Sequence, residues 1–492
     1  MKQQLDTLND SRKSRVYAHL LGLTILIYFV VFVKLNSFHM RWWDESMFAV
    51  NTYEMMKNGK IFSLYFDSLP DLYNTKPPLT SWLQIPFVKL IGYNELALRL
   101  PSALAAALSI LLLFKFVATH YSLLWAWISA LILLTSSGFI GFHTARTADS
   151  DSLLTLFLLV ANIHFIRYLL TEHKMHIFLF MLFITLAYAA KMYAAFLFFP
   201  AHLVILIRQK KLKSFIFNTT FVYSLSLFII LIIGLMWLRE LDAPGYLKIA
   251  FFKDAGRVFT TIENHNEPAI FYLDNLFSSR YSVWFVFLTA GLLLSFFSEG
   301  KPQHELLVIF AILSLVYFAI ITISITKLSW YDMPLYPYFS VISAYAIYFL
   351  IQKINFYPKV SRVKQLILIL VFIFIYPYIK LFNKSQVNSI VSTEKVYEAN
   401  EMYLFEMINR NKNLDGIKVF HSTYDRSLFF YKYKLAESGQ HIELLKDDMF
   451  HLNDKVLVSE DSLKLLLSRQ YKFTTIDEYG QASLLQLTEK IN

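Results

Sequence analysis

Between residues 16 and 382, apolar runs of about 18 or more residues recur along most of the chain. A run of that length crosses a bilayer as a helix. The chain is therefore expected to be a mainly α, polytopic membrane protein. The runs place about eleven spans, near 16–35, 97–119, 122–142, 152–170, 176–190, 192–208, 214–238, 282–298, 306–325, 333–352 and 365–382. Composition agrees: 56% of the 492 residues are hydrophobic and 17% are charged, with a mean hydropathy of +0.46. A soluble chain of this length carries more charge. The first run has no A-x-A-like cleavage site, so it reads as a retained anchor. With no cysteine, a disulfide framework or thiolate metal site is excluded.

The net charge of +10 suggests a polyanion partner until its distribution is considered. Arg12/Lys13/Arg15, Arg208/Lys210/Lys211/Lys213 and Lys353/Lys359/Arg362/Lys364 all fall on one side of the expected topology. The positive-inside rule makes that side, and the N-terminus, cytoplasmic. The basic excess is a topology signal, and no nucleic-acid partner is expected. The opposite side receives residues 36–96, the connection near 143–151, the stretch 239–281, the turn 326–332 and the tail from about 385. Two of these stretches, 36–96 and 239–281, are expected to carry juxtamembrane helices. In the tail, "GIKVFHS" and "KVLVSE" read as strands, and "SEDSLKLLLSRQ" as a helix capped by Ser459. The organisation expected is a membrane domain over 1–384 and a small extracytoplasmic α/β domain over 385–492.

Chemistry-bearing residues gather on that outer side. "RWWDES" follows the first span, and a helix is expected from Asp44, as its cap, to Gly59. Trp42 and Trp43 suit the headgroup level. A cap needs one carboxylate oxygen, so the neighbouring Glu45 points beyond capping, to a proton acceptor or a cation site. In "YNTKPPLTSWL", Pro77 and Pro78 impose an extended turn that fixes the direction of Lys76. Lys76 suits a lipid phosphate, or plain snorkelling. Arg99 lies about one turn inside a span, where it needs a carboxylate or phosphate partner. "HTARTADSDSLL" brings Arg146, Asp149 and Asp151 to a helix start, where capping and dipole complementation compete with a site role. The stretch "RVFTTIENHNEPAIFYLDNL" contributes Arg257 and His265, the latter a candidate metal ligand. Tyr331 comes from "KLSWYDMPLYP".

The Asp-Glu pair after the first span, "KPPL", "NELALRLPSAL" and "ARTADSDSLL" in this order resemble the GT-C-type membrane glycosyltransferases. The branch most resembled holds the bacterial aminoarabinose transferases and the protein O-mannosyltransferase-like enzymes. The resemblance is strongest over 40–160 and continues through "NHNEPAIFYL" and "KLSWYDMPLYP". It implies a GT-C fold, a polyprenyl-phosphate-linked sugar as donor, and inverting transfer to a glycolipid such as lipid A, or to a protein, outside the cytoplasm of a bacterial cell. Asp44 matches the first-loop catalytic aspartate, Lys76 the lysine that holds the lipid phosphate, and Asp151, better than Asp149, the second-loop acid. His265 and Tyr331 fall in the matching later motifs. Aminoarabinose transferases commonly carry Glu before the KPPL lysine, where it can share a divalent metal with a downstream His; here that residue is Thr75.

The chemistry suits such residues. A carboxylate takes the acceptor proton as an oxocarbenium-like transition state is attacked. Lys76 with Arg99 or Arg257 neutralises the departing phosphate, and a lipid-linked donor keeps its tail in hydrocarbon. A lipid or glycolipid transporter is the rival expectation. Ion-coupled transporters place ionisable groups near the midplane, yet 214–238, 282–298 and 333–352 contain no Asp, Glu, Lys or Arg. A non-catalytic scaffold, whose outer acids only cap helices, is the second rival.

Overall fold

The computed structural model describes residues 10–141, 143–297, 303–354, 360–386, 398–422, 424–447 and 449–491. Lys359 of the third basic cluster lies outside the described residues, as do the side chains of Arg12, Lys13 and Arg15 and most of the expected domain border.

Among the described residues, seven helices are long and apolar enough to cross a membrane: Glu95–His120, Asp151–Thr171, Lys174–Phe196, Thr219–Asp242, His304–Ile323, Ser329–Lys353 and Arg362–Leu381. Four further expected spans fall on shorter apolar helices, Val16–Phe32, Leu123–Thr135, Phe199–Arg208 and Phe285–Phe297. The differences have local causes. The first helix loosens into a π-turn over Tyr28–Phe32 and stops at the extended Val33. The expected 122–142 span ends at Thr135 because Ser136 is extended. The helix Lys174–Lys191 ends at Met192, whose positive φ of 44° breaks it, and Pro200 in the first turn of Phe199–Arg208 starts the next. Asn218 caps Thr219–Asp242 through its side chain, which accepts from the Thr220 N–H. That helix and Arg362–Leu381 expose apolar side chains along nearly their whole length, whereas Ser329–Lys353 is almost wholly buried. The exposed apolar surface of the first two suits contact with lipid; the third is core.

The chain divides into two compact units. Unit 1 comprises 1–33, 70–80 and 101–383; unit 2 comprises 34–69, 81–100 and 384–492. The division thus differs from a single border at 384, because the segments 34–69 and 81–100 cluster with the tail. Aromatic and ionic contacts account for it. Tyr53 of the helix Asp44–Asn58 stacks on Tyr433 at 4.4 Å. The Tyr433 hydroxyl donates to Glu54, and Lys434 pairs with Glu95 at 2.6 Å. Glu398 accepts from the Trp42 N–H and pairs with His39 and Arg41. Burial works to raise the Glu398 carboxyl, but these partners hold it below the usual carboxylate range.

The tail of unit 2 is an α/β domain, as its sequence suggests. Strands β1 (Ile417–Phe420), β2 (Glu443–Leu445), β3 (Lys455–Val458), β4 (Tyr471–Tyr479) and β5 (Ala482–Lys490) form one sheet in the order β2-β1-β3-β5-β4. β1 runs parallel to both β2 and β3, while β5 is antiparallel to β3 and β4. Phe420, Phe450, Val456, Val458, Leu467, Tyr471, Leu485 and Leu487 form its core. The helix Asp461–Gln470 is preceded by Glu460 at the cap position, one residue beyond the expected Ser459. Gly480, with a φ of +62°, makes the tight β4–β5 turn.

Candidate functional site

A dense polar cluster of unit 1 is built around the Lys76 loop. The Asp71 carboxylate accepts from the Tyr73 and Asn74 N–H groups, and the Asn74 side chain accepts from the Lys76 N–H. These Asx-type turns fold the loop back on itself, and Pro77 and Pro78 follow. Arg239, at the end of Thr219–Asp242, then grips the loop from below. One guanidinium nitrogen donates to the Thr75 and Lys76 carbonyls at 3.2 and 2.6 Å, the other to Asp71 at 3.1 Å and to Asn74. The Tyr246 hydroxyl adds a bond to the Thr75 carbonyl, and its ring lies 4.1 Å from the guanidinium carbon. A buried arginine needs such donors satisfied. The result is a loop whose backbone is fixed at four carbonyls.

The short helical turns over 246–258 supply the loop's other neighbours. Thr75 donates its hydroxyl to Asp254. Lys253 donates to the Tyr73 carbonyl, sits 3.5 Å from the centre of the Tyr73 ring and pairs with Glu263 at 3.4 Å. Burial and the neighbouring Lys76 and Arg257 cations hold the Lys253 ammonium below its ordinary value, against the pull of Glu263. Burial also works to raise Glu263, but the Tyr73 hydroxyl, Lys253 and Arg257 outweigh it and keep the carboxyl below its usual range. Arg257 lies 3.6 Å from Asp254 and donates to the Tyr331 hydroxyl at 2.9 Å.

Tyr331 reaches this cluster because the chain before it is sewn to 257–265. The N–H groups of Ile325, Thr326 and Lys327 donate to the carbonyls of Val258, Arg257 and His265. Tyr272 and Tyr317 hold the carbonyls of Leu328 and Tyr331. On another side of Tyr331 stands Lys191, 5.3 Å from the ring centre, whose ammonium is shared by both oxygens of Asp151 at 2.6 and 2.7 Å. Lys76, Lys253 and Arg257 outnumber Asp254 and Glu263, while Lys191 and Asp151 cancel. The loop therefore presents one surplus positive charge, a setting suited to a phosphate.

Of the residues singled out in the sequence, Lys76, Arg257 and Tyr331 thus come together, with Asp151 linked to them through Lys191. Asp149, fully buried, accepts from Thr147 and lies 3.2 Å from the His143 ring nitrogen. His143 stacks on Trp330 at 3.8 Å.

The other expected site residues have these surroundings. Glu45 lies 1% exposed in a double hydrogen-bonded pair with the wholly buried Arg99, and also accepts from the Arg41 N–H. Arg99 donates its remaining bonds to the carbonyls of Leu35, Phe38 and His39. With all five N–H groups engaged, this pair braces the chain after the first membrane helix. Arg146 donates to the carbonyls of Val30, Val31 and Val33, where that first helix loosens, and so satisfies a helix end. His265 belongs, among the described residues, to no group of three or more His, Asp or Glu side chains that could share an ion.

In unit 2, Asp44 is the first helical residue of Asp44–Asn58, and the capping position belongs to Trp43. The expected cap role for Asp44 is therefore not the one it takes. The helix ends, as expected, at Gly59, with a φ of +69°. Sequence reasoning passed over Arg239, Lys191, Lys253 and Asp254. The signal for Arg239 and Lys191 was available, since each is a lone cation at the end of an apolar run.

Over residues 75–237 the chain matches the family model for dolichyl-phosphate-mannose-protein mannosyltransferase. It is 26% identical over 203 residues to a Bacillus subtilis protein named "Putative mannosyltransferase YycA", covering 39% of this chain and 29% of that protein. It is 24% identical over 310 residues to an uncharacterized Aquifex aeolicus protein, covering 61% and 58%. The chain thus spans less than two thirds of the length of both relatives. Among solved structures, ArnT from Cupriavidus metallidurans bound to undecaprenyl phosphate superimposes with a TM-score of 0.69 at 14% identity, over 95% of this chain and 98% of ArnT. The Archaeoglobus fulgidus oligosaccharyltransferase tethered to an acceptor peptide gives 0.50 at 12% identity, over 86% and 63%. The fold is that of the GT-C-type membrane glycosyltransferases, as the ordered motifs implied.

Proposed function

We propose that this protein is a membrane glycosyltransferase that takes a sugar from a polyprenyl-phosphate donor and transfers it, with inversion, to an envelope glycolipid or a protein. The observation that carries the reading is the Lys76 loop, clamped by Arg239 and flanked by Lys253 and Arg257. Preorganised positive charge of this kind stabilises a leaving phosphate without reorganisation during the reaction. The undecaprenyl phosphate in the ArnT structure and the mannosyltransferase family model support the donor class.

In this mechanism Lys76 and Arg257 neutralise the departing phosphate, with Lys253 reinforcing the local field. The Tyr331 hydroxyl, already accepting from Arg257, keeps its own proton to donate to a phosphate oxygen. Asp151 fixes the Lys191 ammonium beside the Tyr331 ring. The acceptor's proton is assigned to Asp44 by the resemblance alone. The same resemblance assigns the reaction to the outer face of the cell membrane; the basic clusters put the N-terminus in the cytoplasm by the positive-inside rule, with membrane lipids around the spans.

The test is mass spectrometry of envelope lipids and glycoproteins from cells with and without the protein. A one-sugar mass difference that Lys76→Ala abolishes supports the proposal. Vesicles in which purified protein moves a glycolipid across the bilayer without forming a glycosidic bond would refute it.

A further inference from the structure

The two tryptophans of "RWWDES" play no part in the phosphate chemistry, and their construction in unit 2 is unusually deliberate. Trp43 is 42% exposed although its ring lies 4.7 Å from that of Tyr424 and 5.1 Å from that of Trp42. Trp42 meets Tyr424 edge-on at 5.6 Å. Each member is pinned through its polar atoms. The Trp42 N–H donates to Glu398, and its indole N–H to the Tyr424 carbonyl at 3.2 Å. The Tyr424 hydroxyl and the Ser46 hydroxyl both donate to the Trp43 carbonyl. Trp43 itself has φ 66° and ψ −122°, a strained conformation for a bulky residue, of a kind retained at ligand clamps and active sites.

An interfacial anchor needs none of this. Anchoring tryptophans direct a free indole N–H toward headgroups, whereas the Trp42 N–H is turned inward to Tyr424. What the arrangement offers is a rigid, half-exposed aromatic face, one residue before Asp44 in the chain. A pyranose ring has the complementary surface, one face of C–H bonds to lie on aromatic carbon. From this geometry we infer that Trp43, backed by Tyr424 and Trp42, is a stacking platform for the ring of a pyranose sugar. The inference rests on the glycosyltransferase reading, and the sugar belongs to either the donor or the acceptor.

The experiment uses the full chain in nanodiscs and saturation-transfer NMR with methyl α-D-mannopyranoside and methyl β-D-glucopyranoside as probes. Trp43→Ala should cut the transferred signal about five-fold or more, whereas Trp43→Phe, which keeps an aromatic face, should stay within about two-fold of wild type. Tyr424→Ala should behave like Trp43→Ala, and melting temperature monitors folding of each variant. Displacement of the probe by a sugar-loaded polyprenyl phosphate, but not by bare polyprenyl phosphate, assigns the platform to the donor sugar. Persistence of the signal under both assigns it to the acceptor. Equal signals from wild type and Trp43→Ala overturn the inference, as does equal loss in the Ala and Phe variants. Lys76→Ala should leave probe binding intact, so a failed transfer assay and a failed platform remain distinguishable.

Discussion

Replacing Arg239 by glutamine tests how the Lys76 ammonium is held. Arg239 makes four bonds to the loop carbonyls of Asp71, Asn74, Thr75 and Lys76. Bonds from a charged donor contribute about 1.5–3 kcal/mol each. A glutamine amide has two N–H donors on a shorter stem, so at best half the bonds survive and about 3 kcal/mol or more of anchoring is lost. Thr75–Asp254 and Tyr246–Thr75 remain, so the loop shifts without unfolding. A displacement near 1 Å costs on the order of 10²-fold in rate, similar to deleting one electrostatic contact outright, on the order of 10²–10³-fold. Transfer of labelled sugar from polyprenyl phosphate in proteoliposomes should therefore fall about 10²-fold in Arg239→Gln. Because Arg239 acts through Lys76, Arg239→Gln/Lys76→Ala should be no worse than Lys76→Ala alone. Additive losses in the double variant, or wild-type turnover in Arg239→Gln, would show that the clamp does not position Lys76.

Breaking the buried Glu45–Arg99 pair with Glu45→Ala should destabilise the protein by roughly 3–5 kcal/mol, read as a lower melting temperature and folded yield; a stable but inactive variant would restore Glu45 to the chemistry. Glu401 is wholly buried, accepts from Ser427 at 2.6 Å, and burial pushes its carboxyl up to about 8. Its folded value lies above the unfolded one, so its stabilising contribution is complete below about pH 4.5 and lost as pH rises through about 8. Glu401→Gln should thus melt higher than wild type at pH 9, by up to a few kcal/mol, and match it at pH 4; a pH-independent difference between the two would refute this. A Cβ added at Gly138 would lie 1.9 Å from the Tyr336 hydroxyl oxygen, which is itself bonded to Asp332. Gly138→Ala should therefore cost about 1–3 kcal/mol of stability, and a thermal shift of less than 1 °C would show that Tyr336 moves freely.

Much of the architecture was legible in the chain because membrane burial imposes a coarse rule on every residue of a span. The tail's strands at 417–420 and 455–458 were also legible, since alternating or short apolar runs mark them. The long β4–β5 hairpin was not, because its outer strand, Tyr471–Tyr479, is mostly polar and exposed. Span lengths were overestimated where single backbone choices, at Val33, Ser136 and Met192, stop a helix inside apolar sequence.

The site separates the two kinds of information most clearly. By itself the sequence determined a multi-pass helical protein and singled out Lys76, because prolines and a lone ammonium at a membrane border restrict conformation and charge locally. Only tertiary structure decided what each cation meets. Arg99, Arg146 and Arg239 are alike as read in line, each a guanidinium at the edge of apolar sequence, yet all three grip backbone carbonyls. Lys253 and Arg257, from a stretch with no apolar frame around it, stand beside Lys76. The reason is range: hydropathy acts on each residue where it stands, whereas the partner of a charge is set by a few ångströms between segments as far apart as 76 and 257.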